Sequence, residues 1–353
     1  MHYPSVKGLC GLLISSALFI SAGQGSRAAA AADSEPAAAL LRQKDGDLLC
    51  GLSKAVAYSG FRHGQHPDRG DGAVFPSEEN IIEDLGILAR DFGLIRLYDS
   101  GKNSEDVLKV IKARKIPLKV MLGAWLAAEV YNTNCPWLKD QFSQKVLDAN
   151  RLQNQKQVES AIRLANQYPD IVVAVNVGNE ALVNWTDHLV PVNSVISYVQ
   201  AVKKAIKQPV TVAENYDWWV RQGTALAKEL DFISVHTYPA WEGKDVGEGL
   251  AFTIANIQAV RKTLPRSRIV ITEAGWATVA REFGARASEE KQLRYCDEMR
   301  QWAAKMNITT FLFEAFDEDW KGDLNDPLGA EKHWGLYTID RKAKPAMGKL
   351  QGR

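Results

Sequence analysis

Two stretches decide the fold: Ile171-Val172-Val173-Ala174-Val175-Asn176-Val177-Gly178-Asn179-Glu180 and Arg268-Ile269-Val270-Ile271-Thr272-Glu273-Ala274-Gly275-Trp276. Each is a short, nearly unbroken β-branched run that ends in a turn with glycine and a carboxylate. Apolar runs without alternation are the signature of parallel strands covered on both faces. The same grammar repeats on either side, with strands expected at 48–58, 94–98, 118–122, 171–177, 210–213, 232–236, 268–272 and 310–313. Helical periodicity fills the gaps. Residues 77–92 put Ile81, Ile82, Leu85 and Leu88 on one face behind the N-cap Ser77, and further helices are expected at 104–115, 153–168, 192–206, 248–264 and 288–306. Strands alternating with helices build parallel βαβ units.

Eight such units fit either a doubly wound open sheet or a closed barrel. No G-x-G-x-x-G or G-x-x-x-x-G-K-[ST] follows any strand, which removes the main support for dinucleotide and P-loop readings. Count, length and order favour an α/β fold of the (β/α)8 TIM-barrel type in a single domain, with its chemistry where the strands end.

The composition agrees with this. The chain has 353 residues, 46% apolar and 24% charged, which excludes a disordered or collagen-like chain. With 43 basic and 42 acidic residues, it has no excess of positive charge for a phosphate backbone, so nucleic acid is not an expected partner. His2 and Lys7 precede an apolar stretch over 9–20, and alanines run from Ala28 to Ala32. Residues 1–32 read as a cleavable secretory signal peptide, 33–47 as a lead-in and 48–353 as the catalytic domain. The expected product is secreted or periplasmic, has no membrane span after processing and is a monomer. Cys50, Cys135 and Cys296 remain after processing, an odd number that allows at most one internal bridge; buried free thiols are the favoured reading.

Glu180 and Glu273 follow strands four and seven, three places apart around an eight-strand circle, so both can reach the mouth from different walls. Glycosidic cleavage requires such a pair. One carboxyl protonates the departing oxygen, and the other stabilises or bonds to the anomeric carbon. The tryptophans point the same way. Seven of ten lie close after strand ends (Trp125, Trp185, Trp218, Trp219, Trp241, Trp276 and Trp320), where flat rings can serve as platforms for sugar C–H faces. Of these, Trp241, Trp276 and Trp320 are the expected ligand contacts.

Val177-Gly178-Asn179-Glu180 and Thr272-Glu273-Ala274-Gly275-Trp276 resemble the acid/base and nucleophile signatures of glycoside hydrolase family 17, retaining barrel enzymes acting on β-1,3-glucans. Supporting matches span most of the chain. They are the loop 58–67 (YSGFRHGQHP), Ile95-Arg96-Leu97-Tyr98, the segment from His236 through Tyr238 to Trp241 and Glu242, Phe313 to Lys321, and His333-Trp334-Gly335-Leu336-Tyr337. The resemblance implies Glu180 as general acid/base and Glu273 as nucleophile. It implies Asn179 on the sugar 2-hydroxyl, Tyr238 against the Glu273 carboxylate and Arg96 beneath the site. Tyr58, Tyr98 and Glu314 complete the expected substrate-binding set.

A β-glucan is thus the expected partner, and no cofactor or metal is implied, since two carboxylates and water suffice. Water or a second sugar could resolve the intermediate, so hydrolase and β-1,3-glucan transglucosylase share one signature. A non-catalytic glucan-binding barrel would need one glutamate missing or displaced. His63 and His66, with Asp68 and Asp71, have a metal-like spacing, but Gly, Pro and mixed charge around them favour a solvated or sugar-contacting turn. His236 ends a strand, yet without a G-x-S-x-G elbow a serine triad lacks its nucleophile.

Overall fold

In a computed structural model, residues 41–46, 49–51, 54–69, 71–138 and 140–350 are described. The expected signal peptide and most of the lead-in lie outside them. Eight parallel strands, β1 (Ala55–Ala57), β2 (Leu94–Arg96), β3 (Lys119–Ala124), β4 (Val172–Asn179), β5 (Val210–Asn215), β6 (Ile233–His236), β7 (Ile269–Ala274) and β8 (Thr310–Leu312), close in sequence order into a barrel. All eight expected strands form, so the closed barrel replaces the open-sheet alternative.

The main helices are α1 (Glu78–Leu88), α2 (Lys102–Arg114), α3 (Gln144–Gln167), α4 (Val192–Ala205), α5 (Tyr216–Gln222), α6 (Thr224–Ala227), α7 (Val246–Thr263), α8 (Glu289–Met306) and α9 (Pro345–Leu350). Ser77 caps α1 in a reciprocal box with Asn80, a device of about 0.5–2 kcal/mol. Ser143 caps α3 well before the periodic segment that marks it in the sequence. The short helices α5 and α6 fall in a stretch with no strong periodicity.

Two apolar clusters hold the barrel. Ala55, Leu94, Met121, Ala174, Phe232, Val270 and Phe311, one from or beside each of seven strands, form a small cluster separate from the large one joining strands and helices. Phe232 and Phe311 are fully buried there. Above this layer the strands carry polar interior residues, among them Arg96, Thr211, Ser234, His236 and Thr272, all buried. Strands that are apolar low and polar high make a packed floor beneath a reactive mouth.

The described end of the lead-in, 41–46, is tied to the barrel through Gln43. The Gln43 amide accepts from Ile269 N at 2.6 Å and donates to Ile269 O and Asn307 O. Cys50, Cys135 and Cys296 are free thiols. Among the described residues no helix is long and apolar enough to cross a membrane.

Candidate active site

Local irregularities aim the functional side chains. The register shifts between Asn176 and Asn179 in the β4–β5 pairing, at Val235/His236 in β6–β7, and between Ile271 and Ala274 in β7–β8. Such bulges turn a strand end and re-aim its side chains. Gly178, at φ +89°, starts the turn that carries Glu180, itself left-handed at φ +47°. A Cβ on Gly275 would stand 2.1 Å from Phe313 O, so only glycine lets β7 run past β8 directly after Glu273.

Glu273 is nearly enclosed, its side chain 8% exposed. Oε1 accepts from Arg96 Nη1 at 2.6 Å and from Tyr98 O–H at 3.1 Å, and Oε2 accepts from Tyr238 O–H at 2.5 Å. Burial alone would push its pKa up. The charges of His236 and Arg96, with the hydrogen bonds from Tyr238 and Arg96, outweigh burial and hold it below the usual carboxylate value. Tyr98 and Tyr238 are pushed well above the ordinary phenol value, first by burial and then by Glu273, so both remain O–H donors.

Glu180 is more open, with its side chain 26% exposed, and Oε1 lies 3.0 Å from His236 Nδ1. The same nitrogen is 3.5 Å from Glu273 Oε2. Arg96 Nη2 donates to Asn179 Oδ1, which leaves the Asn179 amide NH2 for a ligand hydroxyl. His188 Nε2 meets Asn179 O at 2.9 Å while its ring packs at a tilt against Trp125, fixing the residue beside Glu180 from behind.

The other expected contacts divide. Trp241 is 47% exposed and braced edge-on by Phe283, in a position to act as a platform. Trp320 is partly buried against Phe61. Trp276, expected as a platform, is 0% exposed; its indole donates to Arg286 O and its ring packs on Tyr295, which makes it part of the core. Trp218 and Trp219 are likewise buried. Tyr58 is buried with its O–H on Asp84, a carboxylate also held by Arg62 and Arg341. Glu314 is buried and bonded to Lys321; burial first, then Glu318, pushes its carboxyl well up. His63 pairs with Asp319 at 2.8 Å, and among the described residues no cluster of three metal-type ligands occurs.

The roles of three groups were not expected from the sequence. His236 joins the two glutamates. Glu214, at the end of β5, is fully buried with Oε1 accepting from Leu182 N, and burial first, then Glu180, raises its pKa well above the ordinary value. Glu331 is pushed up to about 7, by burial first; Lys321 opposes this, and Glu273 and Glu180 add to it. A cavity of about 460 Å³ opens beside this mouth, lined by His63, His66, Trp320, Lys332 and His333 among others, but by neither Glu180 nor Glu273.

A barrel with two carboxylates at its mouth, one buried among donors and one open, is the frame of a glycoside hydrolase. A family model described as the BtgE/BtgC glycoside hydrolase domain matches residues 55–335, and the chain belongs to that family. A protein of Aspergillus niger carrying the name glucan endo-1,3-beta-glucosidase btgC is 26% identical over 298 residues, covering 77% of this chain and 40% of the relative. The chain thus spans well under half the length of that relative. A glucan 1,3-beta-glucosidase of Schizosaccharomyces pombe is 27% identical over 194 residues, 50% of this chain and 57% of its own. Among solved structures, an endo-laminarinase from Formosa superposes with a TM-score of 0.71 at 27% identity, covering 87% of this chain and 89% of that one. The glycoside hydrolase family 17 β-1,3-glucanosyltransferase from Rhizomucor miehei gives 0.65 at 20% identity, covering 83% and 96%, a likeness of fold.

Proposed function

We propose that this chain is a retaining, β-1,3-glucan-active glycoside hydrolase of the family 17 type, with Glu273 as nucleophile and Glu180 as general acid/base. The observation carrying this reading is one imidazole nitrogen within 3.0 Å of Glu180 and 3.5 Å of Glu273. The nearer oxygens of the two carboxyls are therefore no farther apart than the sum of those two distances. That favours the about 5–5.5 Å spacing of retaining pairs over the about 6.5–9.5 Å of inverting ones.

The chemistry follows from the environments. Glu273, kept ionised, attacks the anomeric carbon while Glu180 gives its proton to the departing glycosidic oxygen. Arg96, Tyr98 and Tyr238 hold the nucleophile's orientation, Asn179 holds the sugar 2-hydroxyl, and Trp241 supports a neighbouring ring. Water or another sugar, deprotonated by Glu180, then releases the glucosyl group. The names borne by the relatives support β-1,3-glucan as the substrate class. We further propose export through the 1–32 segment and action as a monomer on extracellular or periplasmic glucan.

The test is a time course on a defined laminari-oligosaccharide with products separated by size, for wild type and Glu273→Gln. Shorter products from wild type, and a loss of about 10⁴-fold or more in the folded variant, are expected. Products longer than the starting sugar would assign a transglucosylase with the same two glutamates. A variant retaining near-native turnover would sink the assignment, and wild-type turnover of only a mixed-linkage glucan or a mannan would move the substrate.

A further inference from the structure

His236 is fully buried at the mouth end of β6, its Nδ1 3.0 Å from Glu180 Oε1 and 3.5 Å from Glu273 Oε2. Its partners sit on β7 and just after β4, on either side of it. The ionised Glu273 carboxylate can only accept, which assigns the proton between them to Nδ1. The remaining charged and titratable groups facing this spot are Arg96 from β2 and Tyr98 just after it, Glu214 from β5, Tyr238 just after β6 and Glu331 from the segment after β8. Arg96, Tyr98 and Tyr238 all donate to Glu273. His236 Nδ1 meets the acid/base carboxyl at 3.0 Å.

We propose that His236 is the positioning residue that the two carboxyls share through the double displacement, its one N–H 3.0 Å from Glu180 and 3.5 Å from Glu273 and so available to whichever of them carries the negative charge. The inference rests on the retaining reading above and deepens it. In the first step a Glu273 oxygen bonds to the anomeric carbon, the glycosidic C–O bond breaks, and the Glu180 proton leaves with the departing oxygen. The charge therefore disappears from Glu273, now an ester, and appears on Glu180. In the second step water or a sugar hydroxyl attacks the anomeric carbon, its proton goes to Glu180, and the ester bond breaks to restore the Glu273 carboxylate. His236 keeps its proton throughout. With Nδ1 already within reach of both oxygens, the donor needs only a small reorientation at each transfer, the condition under which preorganised dipoles lower a barrier.

The consequence is a signature in pH. A hydrogen bond to the ionised form lowers a carboxyl pKa, and losing it raises that pKa. The acid limb of kcat/KM reports ionisation of Glu273, and the alkaline limb reports loss of the Glu180 proton. Removing a donor shared by both moves both limbs to higher pH together, whereas a purely structural role lowers the height and leaves the limbs in place.

The experiment compares His236→Asn with His236→Gln on a laminari-oligosaccharide across the pH range. Asparagine places its amide N–H where Nδ1 stands, and glutamine places it nearer the Nε2 position. His236→Asn is expected to keep both limbs and most of the activity. His236→Gln is expected to lose about 10²-fold in kcat/KM, with both limbs raised by about half a pH unit or more. Equal losses in the two variants with unmoved limbs would overturn the proposal, as would a glutamine variant indistinguishable from wild type. Wild-type turnover in the same assay tests the glycosidase reading separately, so the two failures are distinguishable.

Discussion

Glu273 at the end of β7 and Glu214 at the end of β5 are both strand-end glutamates closed off from solvent, yet their carboxyls are pushed in opposite directions. Burial disfavours the charged form of both. Glu273 overcomes it with three donors on two oxygens, Arg96, Tyr98 and Tyr238, and with the charge of the nearby His236. Glu214 has a backbone N–H from Leu182 on Oε1, while Oε2 is buried with no partner. Burial therefore does not make a nucleophile. The donors gathered around the carboxylate do, and they come from strands remote in sequence.

The largest effect should come from cutting the strongest donor. Arg96→Met leaves Glu273 buried opposite a neutral side chain, and removing one partner of a buried pair costs about 3–5 kcal/mol. Thermal unfolding should register that loss, and kcat/KM should fall by about 10³-fold with the acid limb moved upward. A variant of normal stability and activity would mean that Arg96 does not set the state of Glu273. Tyr238→Phe is the finer cut. Its ring remains packed on Phe313 and Trp334, so the fold should hold, while loss of the 2.5 Å O–H donor raises the Glu273 pKa. A drop of about 10–10²-fold in kcat, with the acid limb at higher pH, is expected from steady-state profiles; an unchanged limb would leave that bond without influence.

The smallest effect belongs to Glu214. Its carboxyl is pushed well up, first by burial and then by Glu180, toward the protonated form that glutamine imitates, so Glu214→Gln should leave both limbs of the activity profile in place. The stability consequence has a definite sign. A carboxyl that binds its proton more tightly when folded contributes stability below the unfolded pKa of about 4.3, and loses it as pH rises through the folded value. Glu214→Gln should therefore lose less stability than wild type as pH climbs from that point, as read by denaturant titration at several pH values. A displaced alkaline limb would mean instead that Glu214 is charged and tunes Glu180.

The contrast also explains what could be read from sequence. The eight apolar runs announced the barrel because strands covered on both faces leave a local signal. Glu180 and Glu273 were legible because each directly follows or ends such a run beside glycine. Trp276 was not, because nearness to a strand end does not tell which way a ring turns, and its indole is spent on Arg286 O in the core. His236 was visible only as a strand-end histidine. Its meaning depends on two partners brought together by barrel closure and by bulges at Asn176–Asn179 and Val235–His236. Glu214 and Glu331 carry no motif at all; only their place beside the pair, Glu214 buried and Glu331 half-buried, marks them out.

The decisive measurement is to trap the intermediate. An activated 2-deoxy-2-fluoro-β-laminaribioside would be incubated with the enzyme, and the labelled peptide identified by mass spectrometry. The account predicts a single adduct on the peptide containing Glu273, formed at the rate at which activity is lost. An adduct on Glu180, or an enzyme that turns over laminari-oligosaccharides without ever carrying the label, would contradict it.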